Sequence, residues 1–346
     1  MKSEPDVIRW VVHTALGRRP PQLPAPDQWA RAIGDLEAGR LGALAAHLLG
    51  SDLEQLPLPA RLHLQATQSR ARSLVARTTP QLVELAAAME RLGASWLILK
   101  GLPLGYRLYP SPACRPARDI DILVGREHLT GAETVLRDLG YHAASRIDPL
   151  LHHREYRRPC RDGEDLVELH WSAHLPGFGG PPPAIVLQKR REIALDGLTI
   201  YVPGAEEERD LLLRHFVKHA SAHAILLLDL LLHLGEAPYR HPLGGLVGDD
   251  LVRLGLPRSI DGPNRPRIYP LRRWLSHRTF AQRSENRKVT WVLIPGAMAS
   301  PATFFPWMWR QVLWPKEPSE RWRPVAAGPL GRYTWRLRRL LRWRVP

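Results

Sequence analysis

Apolar residues recur every three to four positions in "PDVIRWVVHTAL" and "DQWARAIGDLEAG", a spacing that predicts helices within residues 5–49. Asp27 stands where the second of them would take an N-cap, since a short carboxylate can accept from first-turn N–H groups. The same period continues through residues 58–92. Pro80 is expected to break that helix or start a new one, because it lacks an N–H and crowds the preceding turn. Residues 1–92 therefore read as a helical N-terminal region.

The texture changes at "SWLILKG", where Trp96–Leu99 is a short β-prone run ending in Lys100 and Gly101. A helical piece, "LPLGYRLYP", precedes a loop punctuated by Pro110, Pro112 and Pro116. "RDIDILV" then reads as a strand and "REHLTGAETVLRDLGY" as a helix with Gly140 near its end. "YRRP", the turn "RDGED" and "LVELHW" read as a strand hairpin. Alternating strands and helices over 93–204 imply a sheet with helices packed on it. Residues 206–236 carry one strong helical pattern within a helical region, 205–270. The acids at its start suit a helix N-terminus. Residues 271–346 form a basic region rich in Trp and Arg, with no acid after Glu320.

Composition narrows the classes. A chain of 346 residues with 44% hydrophobic content can build a real core, as one large domain or two to three small ones. The net charge of +15 favours an anionic partner, whether nucleotide, nucleic acid or anionic lipid; the alternative is plain arginine-heavy usage. Two cysteines, Cys114 and Cys160, offer neither a disulfide framework nor a CxxC pattern, so a reducing, cytoplasmic setting is expected. The N-terminus lacks the apolar stretch of a signal peptide. The 21 uncharged residues between Lys288 and Arg310 are long enough to span a bilayer, but Pro295, Pro301 and Pro306 argue against a spanning helix. The tail "RYTWRLRRLLRWRV" interleaves Arg with Trp335 and Trp343, a composition suited to a membrane surface, a nucleic acid or a docked helix with a charged outer face.

The chemistry centres on "RPARDIDILV". Strand side chains alternate faces, so Asp119 and Asp121 point one way and Ile120, Ile122 and Val124 the other, into a core. Two carboxylates that close raise each other's pKa, and a divalent cation between them removes that cost. Glu168, a lone acid in an apolar strand, is a candidate third ligand; the alternative is an edge-strand acid in water. Lys100 and Gly101, at a strand end before a helix, are candidates for holding an anion; the alternative is an ordinary strand–helix turn.

The words "LILKGLPLGYRLYP", "CRPARDIDILV", "DLGYH" and "DLVELHW", in that order, resemble the DNA polymerase β-type nucleotidyltransferase superfamily. In particular, they resemble its little-characterised bacterial branch of nucleotidyltransferase family proteins. "KHASAHAILLLDL" matches more loosely, and the resemblance covers roughly residues 30–240. Lys100-Gly101 stands where the wider superfamily usually has Gly-Ser. The resemblance implies an α+β fold, a polymerase β-like mixed sheet flanked by helical N- and C-terminal regions. It implies transfer of a nucleoside monophosphate from an NTP with two Mg²⁺ ions and release of pyrophosphate. Asp119 and Asp121 would hold the two ions, with Glu168 completing the acceptor-side one. The acceptor is open: a small molecule or peptide is favoured, and RNA is possible. The alternatives are a non-catalytic nucleotide-binding protein of the same fold and a toxin-like transferase acting on tRNA.

Further candidates accompany the acids. Arg115 and Arg118 either clamp phosphates, balance the acid cluster or sit solvated in the loop. His170 is either a general base for the acceptor hydroxyl or a supporting histidine. His215, His219 and His223 recur every four residues, on one face of the expected helix, as packing residues, zinc ligands or, with Lys218, phosphate contacts. Asp229 reads as an ion-pair or cap partner on an apolar helix. "VLIPGAMASPATFF" is similar to the opening of an α/β-hydrolase, but no G-x-S-x-G follows, which excludes that class.

Overall fold

Three short helices open the chain: α1 (Asp6–Ala15), α2 (Pro26–Gly39) and α3 (Gly42–Leu49). The computed structural model describes residues 4–18, 22–144, 152–161, 163–174, 179–195, 197–219, 222–262 and 280. Helix α2 begins two residues earlier than an N-cap at Asp27 would set it. Pro26 occupies its first position, where a preset φ is favourable and a missing N–H costs nothing. Ala25 is the N-cap, and its N–H donates to Gln28 Oε1 at 2.8 Å.

Helix α4 (Leu58–Arg91) runs unbroken through Pro80, against the expected break. A mid-helix proline costs about 3 kcal/mol. Leu82, Leu85 and Met89, just beyond it, are completely buried. Burying each contributes roughly 1.5–3 kcal/mol, so packing outweighs the defect.

The sheet follows with β1 (Trp96–Ile98), α5 (Leu102–Leu108), β2 (Asp119–Val124), α6 (Leu129–Asp138), β3 (His142–Ala143), β4 (His153–Cys160) and β5 (Gly163–His170). Its order is β1-β2-β5-β4-β3. The β2–β5 pair is parallel and the others are antiparallel, so the sheet is mixed and the fold α+β. On one face Ile98, Ile120, Ile122, Val124, Val167 and Leu169 pack against residues of α4 and α6. The alternation read in "DIDILV" is thus the actual one.

After the sheet come α7 (Pro183–Gln188), the hairpin β6 (Arg191–Leu195) with β7 (Leu198–Val202), and α8 (Ala205–Lys218). Helices α7 and α8 cover the opposite face of the sheet, where Val186, Leu187 and Leu211 meet Leu97, Leu99 and Leu123. The last described elements are α9 (Ala224–Leu234), β8 (Tyr239–Arg240), α10 (Gly244–Arg253) and β9 (Ile260–Asp261). One apolar core joins α1–α3 to α8–α10.

The single helix expected over 206–236 is two, α8 and α9. Helix α9 is buried on all sides from Ala224 through Leu231, whereas α8 keeps partly exposed positions among its buried ones. His223 is therefore the residue before α9, not a third histidine on the face of α8, and its Nδ1 lies 2.7 Å from the Ala38 carbonyl.

Cys114 and Cys160 are free thiols. Among the described residues no helix is long and apolar enough to cross a membrane. The 289–309 segment and the 332–345 tail lie outside the described residues.

Candidate functional site

Strand alternation puts Asp119, Asp121 and Leu123 on the face of β2 that looks toward α7 and α8. The parallel register sets Asp121 beside Glu168 and Leu123 beside His170. The antiparallel register of β4 sets His153 beside His170 and Glu155 beside Glu168. Sheet pairing alone therefore assembles a polar patch from three segments.

Lys100 completes it. The Leu99 N–H donates to the Asp121 carbonyl at 2.9 Å, which ties the end of β1 to β2. From there the Lys100 Nζ donates to Asp121 Oδ2 at 2.5 Å. His170 Nε2 lies 3.0 Å from Asp121 Oδ1 and 3.3 Å from Glu168 Oε2. Asp121 has no solvent exposure, so both its oxygens are held by cation-forming groups inside the protein.

The charges support one another. Burial would push the Asp121 carboxyl up, but the Lys100 ammonium and the His170 hydrogen bond outweigh it and hold it low. Glu168 is likewise held well below the usual carboxylate range: burial opposes this, and the His170 bond and charge with Lys100 prevail. Burial disfavours the charged forms of Lys100 and His170, yet the surrounding carboxylates raise both. The patch holds anionic oxygens and basic nitrogens in near balance.

Asp119 shares the face at the start of β2, partly buried, and its charge also acts on Lys100. Gly101 turns the chain from β1 into α5 with φ 84° and ψ −123°. A Cβ there would stand 3.2 Å from the Ala117 Cβ. Arg118 is exposed beside Asp119.

Arg115 does not join the patch. Its Nε donates to both Asp229 oxygens at 3.0 Å, and its Nη2 donates to Oδ2 at 2.8 Å. The Tyr109 hydroxyl adds a bond to Oδ1 at 2.7 Å. Asp229 is completely buried on α9, and a charge so placed requires a partner. The guanidinium expected to clamp phosphate is engaged in this ion pair instead.

Helix α8 supplies the facing wall of a cavity that Lys100, Glu168 and His170 also line. His215 and Lys218 enter it from α8. The Lys218 ammonium makes no ion pair or hydrogen bond among the described residues. Burial, and then the Lys100 charge, lower its pKa.

The sequence matches the family model of an uncharacterised nucleotidyltransferase over residues 25–232, more than half of its length. The chain belongs to this nucleotidyltransferase family. The matched range contains Lys100, Asp119, Asp121, Glu168, His170 and Lys218. No curated protein matches the chain. A solved structure of an antigenic nucleotidyltransferase-like protein from Paracoccidioides brasiliensis is similar at 15% identity, with a TM-score of 0.32, over 65% of this chain and 95% of that one.

Two histidines of the patch in this nucleotidyltransferase, His152 and His153, escape a reading of the sequence. The signal is present as the pair in "HHREY". It acquires meaning only through the pairing of β4 with β5, because nothing local links residue 153 to residue 170.

Proposed function

We propose that the protein transfers a nucleoside monophosphate from an NTP to an acceptor hydroxyl, using Mg²⁺ held by Asp119, Asp121 and Glu168. The observation that carries this reading is the in-register placement of Asp121 and Glu168 on adjacent parallel strands, with Asp119 on the same face. An all-oxygen donor set of this kind suits a hard divalent ion. Asp121's two oxygens are engaged by Lys100 and His170, so a cation bound here would take the place of the Lys100 ammonium on Oδ2. Mg²⁺ bound here supplies charge neutralisation for the triphosphate and a lowered pKa for the attacking hydroxyl.

The protein's own groups do the positioning. His170 bonds Asp121 and Glu168 together and fixes their orientation. Lys218 lines the cavity beside the acids as a positive charge for a triphosphate, and Lys100 would join it where a cation takes its place on Asp121. In the transfer, the acceptor hydroxyl gives its proton to solvent, its oxygen forms a bond to the α-phosphorus, the bond to the β-phosphate bridging oxygen breaks, and pyrophosphate leaves with that electron pair. A small molecule or peptide is the favoured acceptor, since no dedicated RNA-binding motif accompanies the site.

The test uses the full chain with α-labelled NTPs, Mg²⁺ and cellular fractions as acceptors. Label on a small molecule or peptide, with equimolar pyrophosphate, is expected. Nuclease-sensitive label would move the acceptor to RNA, and nucleotide binding without any transfer would overturn the transferase reading. Asp119→Asn and Glu168→Gln, both at partly buried positions, are expected to remove Mg²⁺-dependent nucleotide binding while the circular dichroism stays unchanged. Full Mg·NTP affinity in both variants would overturn the site.

A further inference from the structure

Beyond nucleotidyl transfer, and independently of it, we propose a second cation site built from His152, His153 and His170, which takes a borderline divalent ion of the Zn²⁺ or Co²⁺ class. Each of the three offers a nitrogen within 4.8 Å of the others. The rings lie close: centroids are 4.5 Å apart for His152 and His153, 5.3 Å for His152 and His170, and 4.8 Å for His153 and His170. Backbone pairing enforces this, because His153 and His170 are direct cross-strand partners and His152 precedes the first of them.

The hydrogen bonding within the cluster is incomplete. His152 Nε2 faces His153 Nδ1 at 3.4 Å. The Nδ1 atoms of His152 and His170 are buried and have no hydrogen-bond partner among the described residues. Buried polar atoms left this way are uncommon, and a bound ion or water is a usual explanation. Closing the set needs ring rotation, chiefly by His153, whose side chain is 21% exposed.

The chemistry separates this site from the carboxylates. Imidazole nitrogen suits Zn²⁺, Co²⁺ and their neighbours, while Mg²⁺ keeps to oxygen. The two sites meet at His170, whose Nε2 bonds Asp121 and Glu168 while its Nδ1 is left for the ion.

Titration of the metal-free full chain with Co²⁺ tests the proposal. The expected result is an intense tetrahedral d–d absorption saturating near one equivalent, displaced by Zn²⁺ and insensitive to excess Mg²⁺. His152→Ala and His153→Ala are each expected to weaken Co²⁺ binding by at least about tenfold, the lower bound for losing even an outer-shell partner. His219→Ala, in the other histidine group, should leave binding intact. His153→Cys guards against misfolding as the cause of loss: it should bind Co²⁺ and add a thiolate-to-cobalt charge-transfer band. Absence of the tetrahedral spectrum in the native chain, unchanged affinity in His152→Ala and His153→Ala, loss in His219→Ala, or no charge-transfer band in His153→Cys would overturn the site.

Discussion

Replacing Arg115 with Met tests whether that arginine serves the fold or the substrate. The side chain keeps its length and loses its charge. Asp229, with no solvent exposure, then loses the contacts of two N–H groups, one of them shared between its oxygens, and retains the Tyr109 hydroxyl. Breaking a buried ion pair from one side typically costs about 3–5 kcal/mol, mostly because the remaining charge is stranded. With a urea slope of about 3 kcal/mol per molar, that is a fall in midpoint of more than about 1 M. Followed by circular dichroism, Arg115→Met should show this fall, and Arg115→Met with Asp229→Leu should recover most of it, since an apolar pair of similar volume is often neutral or better. Below its transition the single variant should keep native Mg·NTP affinity. An Arg115→Met protein of native stability that binds nucleotide tenfold more weakly would refute the reasoning and return Arg115 to the phosphate.

Acid should act through Glu208, which is buried on α8 and bonded to Arg107, Arg191 and His233. Burial alone would raise its carboxyl, but the His233 and Arg107 bonds prevail and lower it to about 2 from 4.5. A lowered folded-state pKa gives stability that is present above about pH 4.5 and lost as pH falls toward 2, amounting to about 3 kcal/mol. Urea unfolding of the native chain and of Glu208→Gln should therefore differ by about that much at pH 7 and converge on acidification; parallel pH profiles would contradict the assignment. Gly101→Ala places a Cβ at φ 84° and 3.2 Å from the Ala117 Cβ. Strain of that kind costs about 1–3 kcal/mol, and an unchanged urea midpoint would contradict it.

Much of the site is legible in the chain because strand alternation is a local property. The two-residue period of "DIDILV" is enough to put Asp119 and Asp121 on one face and Ile120 and Ile122 in the core, as the structure has them. The strand-turn-helix reading around Lys100 and Gly101 rests on equally local signals, a β-prone run followed by a glycine. Helix interruptions were not legible: Pro80 stays in α4 because packing outweighs its defect, and α8 ends at Lys218 before α9 begins at Ala224.

The partners of charged groups are decided by contacts distant in sequence. Whether Arg115 meets phosphate or protein depends on where α9 delivers Asp229, 114 positions away. Whether His153 matters depends on the register of β4 against β5. Periodicity along a chain determines which face a residue takes, since backbone geometry repeats over two to four residues. Only the folded arrangement determines what stands opposite that face, because a buried charge takes its partner from whichever element the core brings within hydrogen-bonding distance.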